Sequence, residues 1–163
     1  MRAQLLTLQR RVDLVNIKFS DYQEGVLKLI QSKIGTGLKI TANSELEALF
    51  KRSRQTVTPS PYLIHKNPVC VRKEYIKQKT HWTQVTPEML TRTFKKYRDK
   101  VILDNYNPPT WYEIKSLSGR LLIEQGFDAE FVQLLMGHAK QSTTQIYLDD
   151  GIYWKQAESG LKL

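Results

Sequence analysis

The chain has one cysteine, Cys70, among 163 residues. A single thiol excludes an internal disulfide framework and suits a reducing compartment, so Cys70 is expected to be inert and the protein cytoplasmic. Long apolar runs are missing as well. No segment approaches the ~20 apolar residues of a membrane-spanning helix, and residues 1–30 alternate charge and apolarity too often for a signal peptide. Histidine is scarce: His65, His81 and His138 lie in unrelated contexts, a poor basis for a metal ligand set. No internal repeat or low-complexity tract is present. Acidic residues are the last deficit, 16 Asp and Glu against 25 Lys and Arg.

That deficit leaves a formal charge of +9 and a pI near 9.6, a balance that attracts a polyanion such as nucleic acid. Ribosomal and chaperone-like proteins share it, so charge alone does not name the partner. With 40% hydrophobic residues, the chain can bury one core of ordinary size, and a single domain over residues 1–163 is expected.

The order of elements reads as α+β. Leu5, Leu6, Val12, Leu14, Val15 and Ile17 recur near helical spacing, which predicts one helix over Leu5 to Ile17. Gly25 to Gln31 alternates as a strand, Leu38 to Ile40 reads as its partner, and Gly35 and Gly37 permit a tight turn between them. Asn43 or Ser44 caps a helix running to about Ser53. Thr58-Pro59-Ser60-Pro61 breaks the chain, and Tyr62 to His65 reads as a short strand. Lys66 to Gln84 is polar, with Arg72, Lys73, Lys77 and Lys79 among aromatic residues, and is either a solvated connection or a DNA-backbone contact. Thr86-Pro87-Glu88 starts a helix with a basic face. Thr110 with Glu113 forms a capping box before a helix whose stripe is Ile114, Leu117, Leu121 and Leu122. Gly126 ends that helix, and Asp128 caps the next one, through Leu135.

The tail carries the sharpest signal. Gly137-His138 is followed by Thr143-Thr144 and then by Tyr147-Leu148, so a tyrosine stands nine residues after a histidine. A tyrosine can cut DNA by attacking a phosphodiester, provided that cationic and hydrogen-bonding groups offset the charge on the phosphate. Candidates for those groups lie upstream in Leu8-Gln9-Arg10-Arg11-Val12-Asp13-Leu14, in Gln31-Ser32-Lys33, and in Pro108 to Ser118, which contains Tyr112-x-x-Lys115.

Together these blocks resemble the tyrosine recombinases, most closely the lambda-type phage integrases, in family order from residue 7 to residue 154. The resemblance implies a mostly helical domain around a small antiparallel β-sheet and strand cleavage through a 3′-phosphotyrosine intermediate. It places Tyr147 as nucleophile, Arg10 and His138 on the phosphate, and Lys33 on a mobile hairpin as general acid. Arg11 is the alternative for Arg10, and Lys28 or Lys39 for Lys33. Neither a cofactor nor a metal is implied. The implied partners are double-stranded DNA at attachment-type sites and other integrase subunits, with no membrane.

Three positions depart from the family pattern. Leu8 stands where family members usually have Gly, and Tyr112-x-x-Lys115 stands where they have His-x-x-Arg. Lysine keeps the positive charge but lacks arginine's planar fork, so Tyr112 and Lys115 imply impaired catalysis. Family members also carry a DNA-clamping helical domain ahead of this one. The chain therefore reads as a catalytic domain without that front end, either a cut fragment or a truncation left in a decaying prophage. The alternative from another class is a non-catalytic DNA-binding or assembly protein derived from an integrase. After the turn at Asp149-Asp150-Gly151, the apolar Ile152, Tyr153 and Trp154 are expected to dock on this domain or on a neighbouring subunit.

Overall fold

Leu8 adopts a left-handed backbone, φ 55° and ψ 17°, and breaks the expected Leu5–Ile17 helix in two. The pieces are α1 (Arg2–Thr7) and α2 (Arg11–Asn16). A left-handed conformation costs a non-glycine residue about 1–2 kcal/mol, while full burial of a leucine side chain contributes about 1.5–3 kcal/mol. Leu8 has no exposed surface, so burial offsets the strain. The break leaves Arg10 extended, at φ −69° and ψ 157°, where a continuous helix would have fixed it on a helical face.

The computed structural model describes residues 1–67, 80–101, 107–138 and 140–148. Cys70, most of the basic Lys66–Gln84 segment and the tail from Asp149 onward lie outside the described residues.

A three-stranded antiparallel sheet follows α2, in the order β1 (Tyr22–Gln23), β2 (Val26–Gln31), β3 (Thr36–Thr41). Strand β1 is absent from the sequence expectation because it is only two residues long. It turns into β2 through Glu24 and Gly25, both at positive φ, as a two-residue hairpin of matching twist requires. Strand β3 is longer than the expected Leu38–Ile40, since its ladder with β2 runs from Val26↔Thr41 to Gln31↔Thr36. Gly37 pairs within this ladder, and the turn relies on Gly35, at φ 68°. Leu27, Leu38 and Ile40 face the core while Lys28 and Lys39 face water.

Helix α3 (Ser44–Arg54) is capped by Asn43, whose side chain accepts the Leu46 N–H at 3.0 Å. Its Phe50 stacks on Tyr22 with ring centroids 4.3 Å apart, which fixes the helix to the sheet. The Tyr62–His65 strand does not form. Lys18 pairs with Tyr62 and His65 with Gln84 as isolated bridges, because prolines 59 and 61 remove ladder donors.

The remaining helices are α4 (Pro87–Val101), α5 (Glu113–Glu124), α6 (Ala129–Met136) and α7 (Gln141–Leu148). Thr86 caps α4 and Asp128 caps α6, through Met89 N–H and Phe131 N–H. The buried stripe of α5 is Ile114, Lys115, Ser118 and Gly119, and the expected Leu117 and Leu121 are exposed instead. Small and polar positions win because α5 meets its neighbours closely: the Ser118 hydroxyl donates to the Leu5 carbonyl at 2.5 Å. A Cβ on Gly119 would lie 2.7 Å from Met136 Cε and 3.2 Å from Leu148 Cδ2. Leu8, Leu14, Leu27, Leu46, Val132 and Met136 lie at the centre of the core that the described residues form.

Candidate functional site

The C-terminal end of α6 organises the candidate site. Gly137 takes the left-handed conformation at φ 64°. Its N–H donates to the Leu134 carbonyl at 3.1 Å and the His138 N–H to the Gln133 carbonyl at 3.2 Å, the paired bonds of a Schellman ending. His138 is thereby set two residues beyond the last residue of the helix. The last carbonyls of a helix carry its partial negative charge, and two cations take them up. Arg10 Nη2 donates to the Gly137 carbonyl at 3.2 Å, and Lys115 Nζ donates to the Met136 carbonyl at 3.0 Å.

These contacts bring three of the sequence-derived candidates together. Arg10 comes from the extended hinge before α2, Lys115 from the buried face of α5, and His138 from the end of α6. Lys33 sits exposed on the β2–β3 turn, close enough for its charge to act on both Lys115 and His138. Burial, and then the charge of Arg10, pull the Lys115 ammonium down to about 8, against a partly compensating pull from Asp13. Burial, and then Lys115, Arg10 and Lys33, push His138 down to about 4. At neutral pH the site therefore holds a neutral imidazole among cations.

Two features of Arg10 and His138 bear on anion binding. Arg10 Nη1 is buried and has no hydrogen-bond partner among the described residues, an arrangement that costs free energy unless an acceptor arrives. Thr144 Oγ1 lies 3.1 Å from His138 Nδ1, and that bond orients the ring. Thr144 is fully buried. Arg10, Lys115 and His138 thus gather hydrogen-bonding groups of three separate elements around the end of α6.

Tyr147 lies near the end of α7, which packs against both α5 and α6. Tyr112 is exposed at the start of α5, and its hydroxyl accepts a bond from Arg11 Nη2 at 3.1 Å. The Arg11 guanidinium also lies 5.2 Å from the Tyr112 ring centroid, and its other nitrogen donates to Thr91 on α4 at 2.5 Å. The structure thus joins Tyr112 to Arg11 and α4. Lys28 and Lys39, the alternatives to Lys33, pair with each other mid-ladder on the exposed face of the sheet.

Sequence reasoning passed over Asp13, Thr144, Gln9 and Gln31 as site residues. Asp13 is buried and its Oδ1 accepts the Ser32 N–H at 2.9 Å, which ties the base of the Lys33 turn to α2. The readable signal was polarity on an apolar face: Gln31 continues the buried series of Leu27 and Leu29 in β2. Among the described residues, no group of His, Cys, Asp and Glu could hold a metal ion, and no helix is long and apolar enough to cross a membrane.

Comparison with known proteins gives a consistent outcome. The profile of the phage integrase family matches residues 1–151. The integrase of Enterobacteria phage P21 is 34% identical over 154 residues, covering 90% of this chain and 38% of that protein. The prophage integrase IntE of Escherichia coli (strain K12) is 35% identical over 154 residues, covering 90% of this chain and 39% of that protein. The chain thus spans about two fifths of the length of these relatives. Among solved structures, a lambda integrase (75–356) dimer bound to a COC′ core site superposes with a TM-score of 0.72 at 26% identity, covering 96% of this chain and 53% of that one. The mostly helical architecture with its small antiparallel sheet is therefore the catalytic fold of the lambda integrase.

Proposed function

Because the chain belongs to the phage integrase family, we propose that it is a site-specific tyrosine recombinase domain that cuts and rejoins double-stranded DNA at attachment-type sites in the bacterial cytoplasm, at a reduced rate. Tyr147 attacks the scissile phosphorus, the tyrosine proton leaves to water, and the bond to the 5′ oxygen breaks. Lys33 protonates that oxygen, so the products are a 3′-phosphotyrosine and a 5′ hydroxyl. Arg10, His138 and Lys115 surround the phosphate and stabilise the charge that develops on it. A 5′ hydroxyl from a second strand reverses the step, with no cofactor consumed.

The observation that carries this reading is the buried Arg10 Nη1, which has no hydrogen-bond partner among the described residues and lies beside His138 and Lys115 at the end of α6. An anion supplies the acceptor that Arg10 Nη1 lacks among the described residues. The lambda integrase structure was solved as a dimer on DNA, which supports the same kind of assembly here with other integrase subunits. The reduced rate follows from Lys115, whose ammonium gives one directed bond where a guanidinium gives two.

A second reading draws on Tyr112 and Lys115. Both spend polar atoms within the protein, on Arg11 and on the Met136 carbonyl, which favours a DNA-binding or assembly protein without chemistry. Nicked, labelled attachment-type DNA that traps the cleaved strand separates the two. A covalent adduct on a denaturing gel that disappears in Tyr147→Phe supports cleavage. Binding without any adduct supports the second reading, and no binding at all removes both.

A further inference from the structure

Beneath the cluster lies a buried carboxamide network that the chemistry above does not use. Gln31 is 2% exposed and Gln9 1% exposed. Gln31 Nε2 donates to Gln9 Oε1 at 2.9 Å and to the Leu135 carbonyl at 3.1 Å. Gln9 Nε2 donates in turn to the Thr7 carbonyl at 2.6 Å and to the same Leu135 carbonyl at 2.9 Å. Two side chains, far apart in sequence, thus converge on one carbonyl in the last turn of α6.

Each end of this network abuts a segment of the site. Gln9 precedes Arg10, Gln31 stands two residues before Lys33, and Leu135 stands three before His138. Gly137 adds an independent observation. A Cβ placed on it would lie 2.1 Å from Gln31 Oε1 and 2.6 Å from Gln31 Cδ, so the absent side chain at 137 is the space that Gln31 occupies. Glycine is therefore required here by close approach as well as by its positive φ. A hydrophobic residue would have filled the end of β2 without demanding any particular register, whereas a buried amide has to satisfy its donors and so fixes the parts it touches.

We propose that Gln31, together with Gln9, is a positioning residue that sets the Lys33 turn, the Arg10 hinge and the Gly137-His138 ending at fixed distances from one another. This rests on the phosphate-binding reading for its functional meaning, but its geometric content can be tested without DNA. Neither glutamine reaches the phosphate; each acts through the neighbour that does.

The test uses the full chain with Gln31→Leu, Gln9→Leu and the double variant, because only the double variant removes both partners of the Gln31–Gln9 bond. Thermal unfolding, the NMR titration of the His138 imidazole and affinity for attachment-type DNA are read on each. In the double variant the loss in melting temperature is expected to be smaller than the sum of the two single losses, because the Gln31–Gln9 bond is removed from both sides while the Leu135 and Thr7 carbonyls lose their donors either way. The His138 midpoint is expected to stay raised by about one unit or more above the parent's value, as its surroundings loosen. Adduct formation, where the parent shows it, is expected to fall about 100-fold, the cost of a misplacement near 1 Å. A double variant that melts, titrates and binds like the parent overturns the proposal. If the variants fail to fold, Gln31→Met supplies the second measurement: it keeps the length of the side chain without a donor or a charge, and an unchanged His138 midpoint in it also overturns the proposal. A parent that binds no DNA refutes the functional reading and leaves the titration result to decide the geometric one.

Discussion

Arg10 and Lys115 hold consecutive carbonyls, those of Gly137 and Met136, at the end of one helix. Two like charges are brought together there, and burial, followed by the charge of Arg10, draws the Lys115 ammonium down to about 8. A group with that value is mostly charged at pH 7 and mostly neutral at pH 9.

Affinity for attachment-type DNA should therefore fall as pH rises through 8. The loss is expected to be about tenfold, the order of one charge-assisted bond. Lys115→Arg should remove this dependence, since a guanidinium does not titrate in the range. Parallel binding curves at pH 7 and pH 9 give the answer, and an equally steep loss in Lys115→Arg would assign the effect to another group.

Adduct formation should respond differently from binding. Lys115→Arg is expected to raise covalent adduct by about 100-fold, the order of one well-placed transition-state donor, and adding Tyr112→His should raise it further. Equilibrium binding should change far less, because Lys115 already supplies the ground-state charge while the fork matters as charge develops on the phosphorane. Tyr147→Phe in the repaired background should abolish the adduct. A double revertant no more active than the parent would place the main defect outside this motif.

On the acid side the relevant group is His138. Burial and three neighbouring cations hold it near 4 in the folded chain, below its ordinary 6.5. A base whose folded value is lowered stays neutral in the folded chain while the unfolded chain takes up a proton. Its contribution to stability is therefore lost as pH falls from about 6.5 to about 4 and is constant outside that window. His138→Gln should flatten this part of the stability–pH curve relative to the parent, as measured by urea unfolding at pH 7, 5.5 and 4. Curves of equal slope would show that the ring is not held neutral.

The strain at Leu8 makes a prediction about backbone and packing together. Leu8→Gly relieves about 1–2 kcal/mol of left-handed strain but removes a buried side chain usually worth about 2.7–5 kcal/mol. A net loss of about 1–4 kcal/mol is expected in denaturant unfolding. A variant more stable than the parent would mean that the cavity closes and that strain dominates.

Much of this was legible in the residues themselves. Asn43, Thr86 and Asp128 announce helix starts because a side chain that accepts an N–H is readable without context. The paired spacing of His138 and Tyr147 pointed to the right family through chemistry carried locally. What escaped was tertiary. Leu8 looks helical to any periodicity argument, and only its burial shows why a left-handed leucine is tolerated. The stripe of α5 was misread for the same reason: Ser118 and Gly119 face inward because other helices approach there, while Leu117 and Leu121 are left outside. Gln9 and Gln31 carry no motif, and their meaning lies in one shared carbonyl far along the chain.

Gly119 has a mechanical implication for α7. Leu148 rests against it, where a single added methyl would come within 3.2 Å, and Thr144 is buried and bonded to His138. Tyr147 lies between these two anchors, three residues from one and adjacent to the other. The backbone that bears the tyrosine is thus pinned on both sides to the elements that carry Lys115 and His138. Sliding α7 as a rigid rod would have to break both attachments at once.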